Sequence, residues 1–382
     1  MPTYRILIVS LVFTTLLSCV STKKYSNALD FALSSKDKRL APVFESSDTY
    51  QVQILFAQIN RSSNGIELKE HLYKVDDYNY FYPASTVKFP VAVMSLEKLH
   101  QMDIDYKTPY KLVTDTLTSS FKKTLQELFA VSSNTAYNRL YEFLGKKHIN
   151  STIHSKGINH FRIAHRLSTP NANKLDRTAI ILNPESESSQ ILQFEKDKPS
   201  TALSMNNLKK GRGFVYGEST IYEPFDFSYK NYYPIQSQYE VLKRVIFPQL
   251  FNDDQGFDLS VEQRNFLLKS MSSLPREVGY DSREYYDSYG KFFLFGDSKK
   301  PIPEEFKIYN KVGYAYGTLT DCAYITNSKN KVEFILIATI LVNKNQIFND
   351  NNYEYDEIGI PFLSALGKEI YRYERKRKRQ EN

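Results

Sequence analysis

Serine hydroxyls that precede lysine amines by three positions are the side chains in this sequence whose spacing suggests covalent catalysis. In Ser85-Thr86-Val87-Lys88, both side chains would lie on one face of a helix. A lysine buried in apolar surroundings loses its proton near neutral pH and can activate a serine hydroxyl for attack on an acyl group. The same spacing recurs, for example at Ser95, Ser119 and Ser120, so spacing alone does not select the nucleophile.

The surroundings of Ser85 distinguish it from the other serines. Pro83 precedes it at the start of an expected helix, where backbone amides lack intrahelical acceptors and can bind an oxyanion. The apolar run 89–94 follows Lys88 and would bury its amine. The alternative interpretation is that Ser85 only caps a helix of the core and that Lys311, which belongs to a later motif, is a solvated strand residue.

Two further motifs follow in a definite order. Ser132-Ser133-Asn134 lies in an expected helical stretch over 124–144, and Lys311-Val312-Gly313 lies in an expected strand over 307–317. Three motifs in this order resemble those of the penicillin-recognising serine hydrolases, above all the class A β-lactamases, with S-x-x-K, S-D-N and K-T-G. The resemblance covers residues 50–368, except the region 168–250.

The resemblance implies catalytic roles for four residues. Ser85 would be the acylated nucleophile and Lys88 its general base. Ser132, between the two lysines, would relay a proton to the leaving nitrogen. Lys311 would face the substrate carboxylate and help keep Lys88 neutral by like-charge repulsion.

The resemblance also implies substrate-binding roles. Asn134 would hydrogen-bond the side-chain amide of the substrate. Gly313 and Tyr314 would border the substrate, and the amides of Ser85 and Tyr314 would bind the oxyanion.

The sequence departs from the class A pattern in three places. Val312 replaces a Thr or Ser whose hydroxyl contacts the substrate carboxylate, and Ser133 replaces the Asp of S-D-N. The glutamate that activates the deacylating water in class A enzymes has no counterpart: Ala179 occupies the nearest match, with Glu185 and Glu187 in a loop beyond it. Without that base an acyl-enzyme turns over slowly, so the sequence supports acylation better than efficient β-lactam hydrolysis.

The elements that must position these residues are strands near both chain ends and helices between them. The sequence pattern predicts strands over 50–59, 67–75, 307–317, 319–326 and 332–342. It predicts helices over 87–99, 124–144, 240–247 and 260–272, and a last helix from about residue 360. We therefore expect an α+β fold of the β-lactamase/transpeptidase type, with one antiparallel sheet from both chain ends and an inserted helical lobe. Aromatic clusters in the insertion 168–250, around Phe225–Tyr229 and Tyr232–Tyr233, would line a substrate cleft, contact a partner or only pack.

The amino terminus predicts export. Arg5 is followed by an apolar run over 6–17, too short to span a bilayer but suited to a signal peptide. Leu16-Leu17-Ser18-Cys19 resembles a bacterial lipobox, which implies lipidation of Cys19 and a periplasm-facing protein, more readily at the outer than the inner membrane. An ordinary signal peptide or an anchor ending near Ser18 is the alternative.

The predicted organisation is therefore a signal peptide (1–18), a tether (19–40), a hydrolase domain (41–371) and a basic tail (372–382). The net charge is +7, and the tail carries +4 of it, so the rest of the chain lacks the charge expected for nucleic-acid binding. Two cysteines exclude a disulfide framework, and no histidine pattern predicts a metal site.

We expect a serine hydrolase without metal or organic cofactor, acting on a β-lactam or peptidoglycan-type amide. The alternatives are a penicillin-binding peptidoglycan carboxypeptidase or endopeptidase-like enzyme, and a catalytically weak envelope-binding lipoprotein.

Overall fold

The computed structural model describes residues 25–381, so Cys19 and the predicted signal peptide lie outside the described residues. The helices are α1 (Ala28–Leu33), α2 (Ala41–Glu45), α3 (Lys88–Gln101), α4 (Phe121–Ala130), α5 (Asn134–Leu144), α6 (Lys146–Ser155), α7 (Ile235–Ile246), α8 (Val261–Ser272) and α9 (Ile360–Glu381). The strands are β1 (Gln53–Ser62), β2 (Gly65–Tyr73), β3 (Pro109–Leu112), β4 (Ser119–Ser120), β5 (Ile180–Leu182), β6 (Gln190–Leu192), β7 (Lys209–Lys210), β8 (Gly213–Tyr216), β9 (Ser219–Ile221), β10 (Phe225–Asp226), β11 (Phe306–Ala315), β12 (Thr318–Asn327), β13 (Val332–Leu341) and β14 (Ile347–Phe348).

The main sheet joins the two ends of the chain, and its order is β11-β12-β13-β1-β2. All neighbours in it are antiparallel, and β1 lies between β13 and its hairpin partner β2. Helices from the middle of the chain pack on one face of it. The predicted α+β architecture, with a terminal sheet and an inserted helical lobe, is therefore confirmed.

Strand β1 shows why this sheet is buried on both faces. Leu55, Ala57 and Ile59 pack into the core shared with the helical lobe, whereas Ile54 and Phe56 pack into a second core beneath α1 and α9. Successive side chains of a strand point to opposite faces, so an apolar residue at every position requires a cover on each side. The sheet is consequently the middle layer of three.

Helix α3 passes through the centre of the helical lobe. Most of its residues between Lys88 and Leu99 are buried, including the polar Ser95 and Glu97. A helix that is apolar on all sides is stable only when it is surrounded by other elements. Because Lys88 is the first residue of this helix, its amine starts from a rigid position.

The predicted continuous helix over 124–144 is wrong, because the chain forms two helices there. Helix α4 ends at Ala130, and α5 begins at Asn134 with Ser133 as its cap, the Ser133 hydroxyl accepting a hydrogen bond from the Ala136 amide at 3.1 Å. Between them, Ser132 has a φ of 56°, in the left-handed region that ends a helix. The break brings the second motif to the surface of the lobe.

The segment predicted as a tether, 19–40, contains helix α1. Ala28, Leu29 and Ala32 are buried, and the Asn27 side chain caps the helix by accepting bonds from two backbone amides. This corrects the predicted boundary, since α1 packs against α9 as part of the domain. A tether can therefore extend only over residues that precede this helix.

The segment predicted as a basic tail, 372–382, continues helix α9 through Glu381. Glu374 is fully buried, and Arg377 lies 2.5 Å from its carboxylate, whereas Arg372 pairs with Glu369. Part of the positive charge is thus neutralised within the helix. No helix among residues 25–381 is long and apolar enough to cross a membrane.

The insertion 168–250 is more ordered than its weak periodicity indicates. It contains strands β5 to β10 and helix α7, which begins at Ile235 rather than near residue 240. Strand β8 pairs in parallel with β14, which follows the main sheet in sequence. Phe214 of β8 and Ala315 at the end of β11 pack against the same hydrophobic cluster, so part of the insertion lies near that end of β11, two residues beyond the third motif.

Candidate active site

Ser85 lies in a short 3-10 turn, Ala84–Val87, that leads directly into α3. Pro83 precedes the turn, Ala84 has a φ of 46°, and Ser85 is partly exposed between buried neighbours. An amide in the first turn of a helix lacks an intrahelical acceptor. The turn therefore presents both the hydroxyl and the amide of Ser85 at the start of a buried helix.

The amine of Lys88 lies among polar groups of the second motif. It donates hydrogen bonds to Asn134 Oδ1 at 2.7 Å and to Ser132 Oγ at 3.2 Å, and it also bonds the Ser132 carbonyl. Lys88 is fully buried, and burial, reinforced by repulsion from Lys311, holds its pKa well below the usual range. The neutral form that this shift favours has two N–H donors and a lone pair, so it can accept a proton once it gives up one of these three bonds.

Ser132 connects the two lysines. Its hydroxyl accepts a hydrogen bond from Lys311 Nζ at 2.8 Å and another from Lys88 Nζ at 3.2 Å. The left-handed backbone at Ser132, costly for a residue with a Cβ, holds this hydroxyl between two distant elements. The arrangement is a continuous path along which a proton can move.

Lys311 projects from β11 and is buried. Its amine also donates to the Val312 carbonyl at 2.8 Å. Burial lowers its pKa to about 7, with Asp321 opposing and Lys291 reinforcing the shift. Lys311 is therefore a cation at slightly acidic pH and loses its charge as the pH rises through about 7.

A second layer of polar groups lies behind β11. The buried Lys291 amine donates to Asn310 Oδ1 at 2.7 Å, and the Asn310 amide donates to Asp321 Oδ1 at 2.8 Å. Burial raises the pKa of Asp321 to about 6, and two backbone amides, those of Phe292 and Phe293, donate to its other oxygen. These hydrogen bonds connect β11 to β12 and to the segment that contains Lys291.

Gly313 allows β11 to approach the nucleophile turn. A Cβ at this position would lie 2.8 Å from the Ser85 amide nitrogen and 2.7 Å from the Pro83 carbonyl oxygen. Such distances are shorter than any van der Waals contact, so only glycine fits. Tyr314, the next residue, is half-exposed, packs on Tyr355 and lines the cleft together with Ser85.

Two connected grooves meet at Ser85. The first, of about 550 Å³, is called the Lys230 groove and is lined in part by Tyr82, His165, Lys230 and Tyr316. The second, of about 510 Å³, is called the Lys311 groove and is lined in part by Ser132, Tyr280, Tyr289 and Lys311. Ser85, Asn134 and Tyr314 line both grooves, so a substrate can extend to either side of the nucleophile.

The structure brings together the motif residues that the sequence singled out within the described range, but the Lys88 amine is not yet hydrogen-bonded to the Ser85 hydroxyl. Among residues 25–381, the hydrogen bonds of the Lys88 amine go to Ser132 and Asn134 and none reaches Ser85. Hydrogen bonds of catalytic groups often tighten only when substrate binds. Val312, where the resemblance places a hydroxyl, is a buried part of the core.

Glu185 and Glu187, the glutamates that the sequence offered for deacylation, line neither groove at Ser85. Glu185 and Glu187 are exposed in the loop between β5 and β6, and Glu185 accepts a hydrogen bond from Thr118 at 3.2 Å. Among the described residues that line the two grooves, none is an aspartate or glutamate. The cleft therefore offers no carboxylate to activate a water beside Ser85.

The sequence did not single out four residues of the Lys230 groove, which are Tyr82, His165, Lys230 and Tyr316. Phe225 and Phe227, noted as aromatic clusters, pack beneath Tyr82 and Tyr316, whereas Lys230 in the same stretch lines the cleft. A lysine surrounded by aromatic residues was the available signal. Among residues 25–381, no cluster of three or more His, Cys, Asp or Glu side chains is placed to hold a metal ion.

Known proteins resemble this chain in sequence and in fold. Residues 36–192 match the family model described as the β-lactamase enzyme family. A β-lactamase from Desulfarculus baarsii has a TM-score of 0.50 at 15% identity, covering 86% of this chain and 95% of its own. A β-lactamase from Xanthomonas campestris has a TM-score of 0.50 at 16% identity, covering 91% and 98%. A search of curated proteins found no match.

The chain thus has a β-lactamase-like fold, and its residues 36–192 are similar in sequence to the β-lactamase enzyme family. The predicted resemblance is confirmed at this level.

Proposed function

We propose that the protein is an exported serine hydrolase in which Ser85 is acylated by β-lactams or by a related amide or peptide. The observation that carries this proposal is the path Lys88–Ser132–Lys311, in which one serine hydroxyl lies within hydrogen-bond distance of two buried amines whose pKa values are both lowered. A structural role would not require two buried lysines to share one serine hydroxyl, because burying amines costs free energy.

In the acylation step, the Ser85 hydroxyl would give its proton to the neutral Lys88 amine as its oxygen bonds to the substrate carbonyl carbon. The amides of Ser85 and Tyr314 would hold the resulting oxyanion. Lys88 would then pass the proton through Ser132 to the substrate nitrogen while the carbon–nitrogen bond breaks. The acyl group remains on Ser85 as an ester, and the amine departs from an open-chain amide but stays attached to the acyl group when a β-lactam ring opens.

Asn134 gives a reason why Lys88 is not yet directed at Ser85. Its amide oxygen accepts from Lys88 in the free protein, and it also lines both grooves. A substrate amide that bonds to Asn134 would compete for this oxygen and release the amine toward the nucleophile. Substrate binding would in this way complete the base–nucleophile contact.

Deacylation is expected to be slow. Hydrolysis of the ester needs a base that deprotonates a water, and no aspartate or glutamate lines the described cleft. A long-lived acyl-enzyme is typical of penicillin-binding peptidoglycan enzymes, and this observation favours that activity as the second candidate.

Mass spectrometry of the intact protein after exposure to benzylpenicillin tests both steps. We expect a penicilloyl adduct on Ser85 that persists for minutes or longer. Steady nitrocefin turnover above about 1 s⁻¹, the lower end of ordinary enzyme rates, would contradict slow deacylation. Absence of any adduct would contradict the acyl-enzyme and leave an envelope-binding role.

A further inference from the structure

Lys230 is a half-buried cation without a carboxylate partner. It follows β10 and precedes α7, and its amine lies 5.8 Å from the centre of the Phe225 ring and 5.9 Å from that of the Tyr316 ring. Among residues 25–381, no aspartate or glutamate forms a salt bridge with it. Partial burial also lowers its pKa. A desolvated cation held only by aromatic rings gains free energy when an anion binds beside it.

The other positive side chain on this wall is already engaged. Arg166 donates to Glu142 Oε1 at 2.5 Å and to the backbone carbonyls of Lys174 and Asp176. His165 is neutral at pH 7, because burial lowers its pKa to about 4. Lys230 is therefore the cation that the described wall of this groove presents to a ligand.

The position of the groove relative to the proton path identifies which part of a substrate would reach it. The leaving nitrogen must lie on the side of Ser132 and Lys311, since its proton comes through Ser132. The acyl part would then extend from Ser85 into the other groove, which Lys230 lines. This step rests on the proposed acylation of Ser85.

We propose that Lys230 is a specificity residue that binds a carboxylate on the acyl part of the substrate. The preferred substrate class is then an amide with two carboxylates, one on the leaving part facing Lys311 and one on the acyl part facing Lys230. Tyr82 and Tyr316, which line the same groove, provide apolar surface for the chain between that carboxylate and the reacting carbonyl.

Two penicillins that differ by one carboxylate test this inference. Carboxybenzylpenicillin carries an acid on its acyl side chain, and benzylpenicillin does not. Binding is measured by calorimetry with Ser85→Ala protein, so that the result does not depend on acylation. We expect tighter binding of carboxybenzylpenicillin, and an additional Lys230→Met change should weaken it about tenfold without affecting benzylpenicillin.

Lys230→Arg should preserve the preference, because it retains the charge. Lys209→Met is the matched control: it removes an exposed lysine of the same insertion and should leave both affinities unchanged. Equal weakening of both penicillins by Lys230→Met, the same loss in Lys209→Met, or no binding of either compound would overturn the proposal.

The proposed acylation fails separately from this inference. If the wild-type protein forms no adduct with either penicillin while Ser85→Ala shows the Lys230-dependent preference, the acyl-enzyme is wrong and the carboxylate site stands.

Discussion

The hydroxyl of Ser132 lies 2.8 Å from the amine of Lys311, although 179 positions separate the two residues in the chain. The contact joins a break between two helices of the lobe to the edge strand of the main sheet. A residue in the left-handed region and a buried lysine are both unfavourable on their own. Their meeting beside Ser85 is the relationship on which the proposed chemistry depends.

Replacing the proposed nucleophile should abolish acylation, whereas replacing its general base should only slow it. Ser85→Ala should abolish covalent labelling by a fluorescent penicillin, and Lys88→Ala should slow it by about 10²- to 10⁴-fold, the usual contribution of a general base. Ser95→Ala is the control: Ser95 also precedes a lysine by three positions, but it is fully buried in α3 and donates to the Val91 carbonyl. Normal labelling of Ser85→Ala in a gel assay would contradict the assignment.

The rate of acylation should fall as the pH rises through about 7. Burial lowers the pKa of Lys311 to about 7, so above that pH the amine loses the charge that attracts the substrate carboxylate. Burial also holds the pKa of Lys88 well below its usual range, so a rise in pH through 7 favours the neutral amine that acts as the base. The second-order rate constant for benzylpenicillin, measured from pH 5.5 to 9, should therefore decrease at its alkaline end.

Lys311→Arg provides the check on that alkaline decrease. A guanidinium stays protonated, so the decrease should move above the measured range even if the overall rate is lower. An unchanged decrease in this variant would assign the titration to a different group.

Gly313→Ala should disrupt the nucleophile turn. The added Cβ would lie 2.8 Å from the Ser85 nitrogen, so the turn must shift, and misplacement of about 1 Å costs about 10²-fold in rate. Gly256→Ala is a suitable control, because its nearest neighbour would be the Asn252 carbonyl at 3.5 Å, an ordinary contact. The two variants are compared by acylation rate and by thermal unfolding. Acylation of Gly313→Ala at the wild-type rate would show that the close approach has no role.

Ser132→Gly should be more stable than Ser132→Ala. The φ of 56° at this residue is favourable for glycine and strained for alanine, whereas elsewhere glycine is usually the more destabilising of the two. Both variants lose the hydroxyl between the lysines, so both should acylate slowly. Thermal melting tests the first expectation, and a higher melting temperature for the alanine variant would argue against strain at this position.

Cys19→Ala should release the protein from the membrane fraction or leave an unprocessed precursor, because Cys19 ends the predicted lipobox. The control is Cys322→Ala, which replaces a buried thiol on β12 and should leave fractionation unchanged. If both variants fractionate and migrate like the wild type, the predicted lipid anchor is wrong.

Local patterns in the sequence were sufficient to predict the strands of the main sheet and the motif formed by Ser85 and Lys88. Ser85 and Lys88 are three positions apart at the start of a helix, and alternation of apolar residues predicted strands β1, β2 and β11–β13 to within a few residues. Such features depend on neighbours in the chain, so periodicity and turn residues predict them. The order of the three motifs indicated the fold, because each motif has a set place in it.

Packing between distant segments determined the features of the site that local sequence patterns did not predict. A helical pattern over 124–144 did not predict the break at Ser132, which is held by contacts with Lys88 on α3 and Lys311 on β11. The weak periodicity of 168–250 likewise did not show that Lys230 lines a groove together with Ser85 or that Glu185 lines neither groove, since both depend on how distant segments pack. Burial, and with it the lowered pKa of each lysine, exists only once the sheet and the helical lobe close around them.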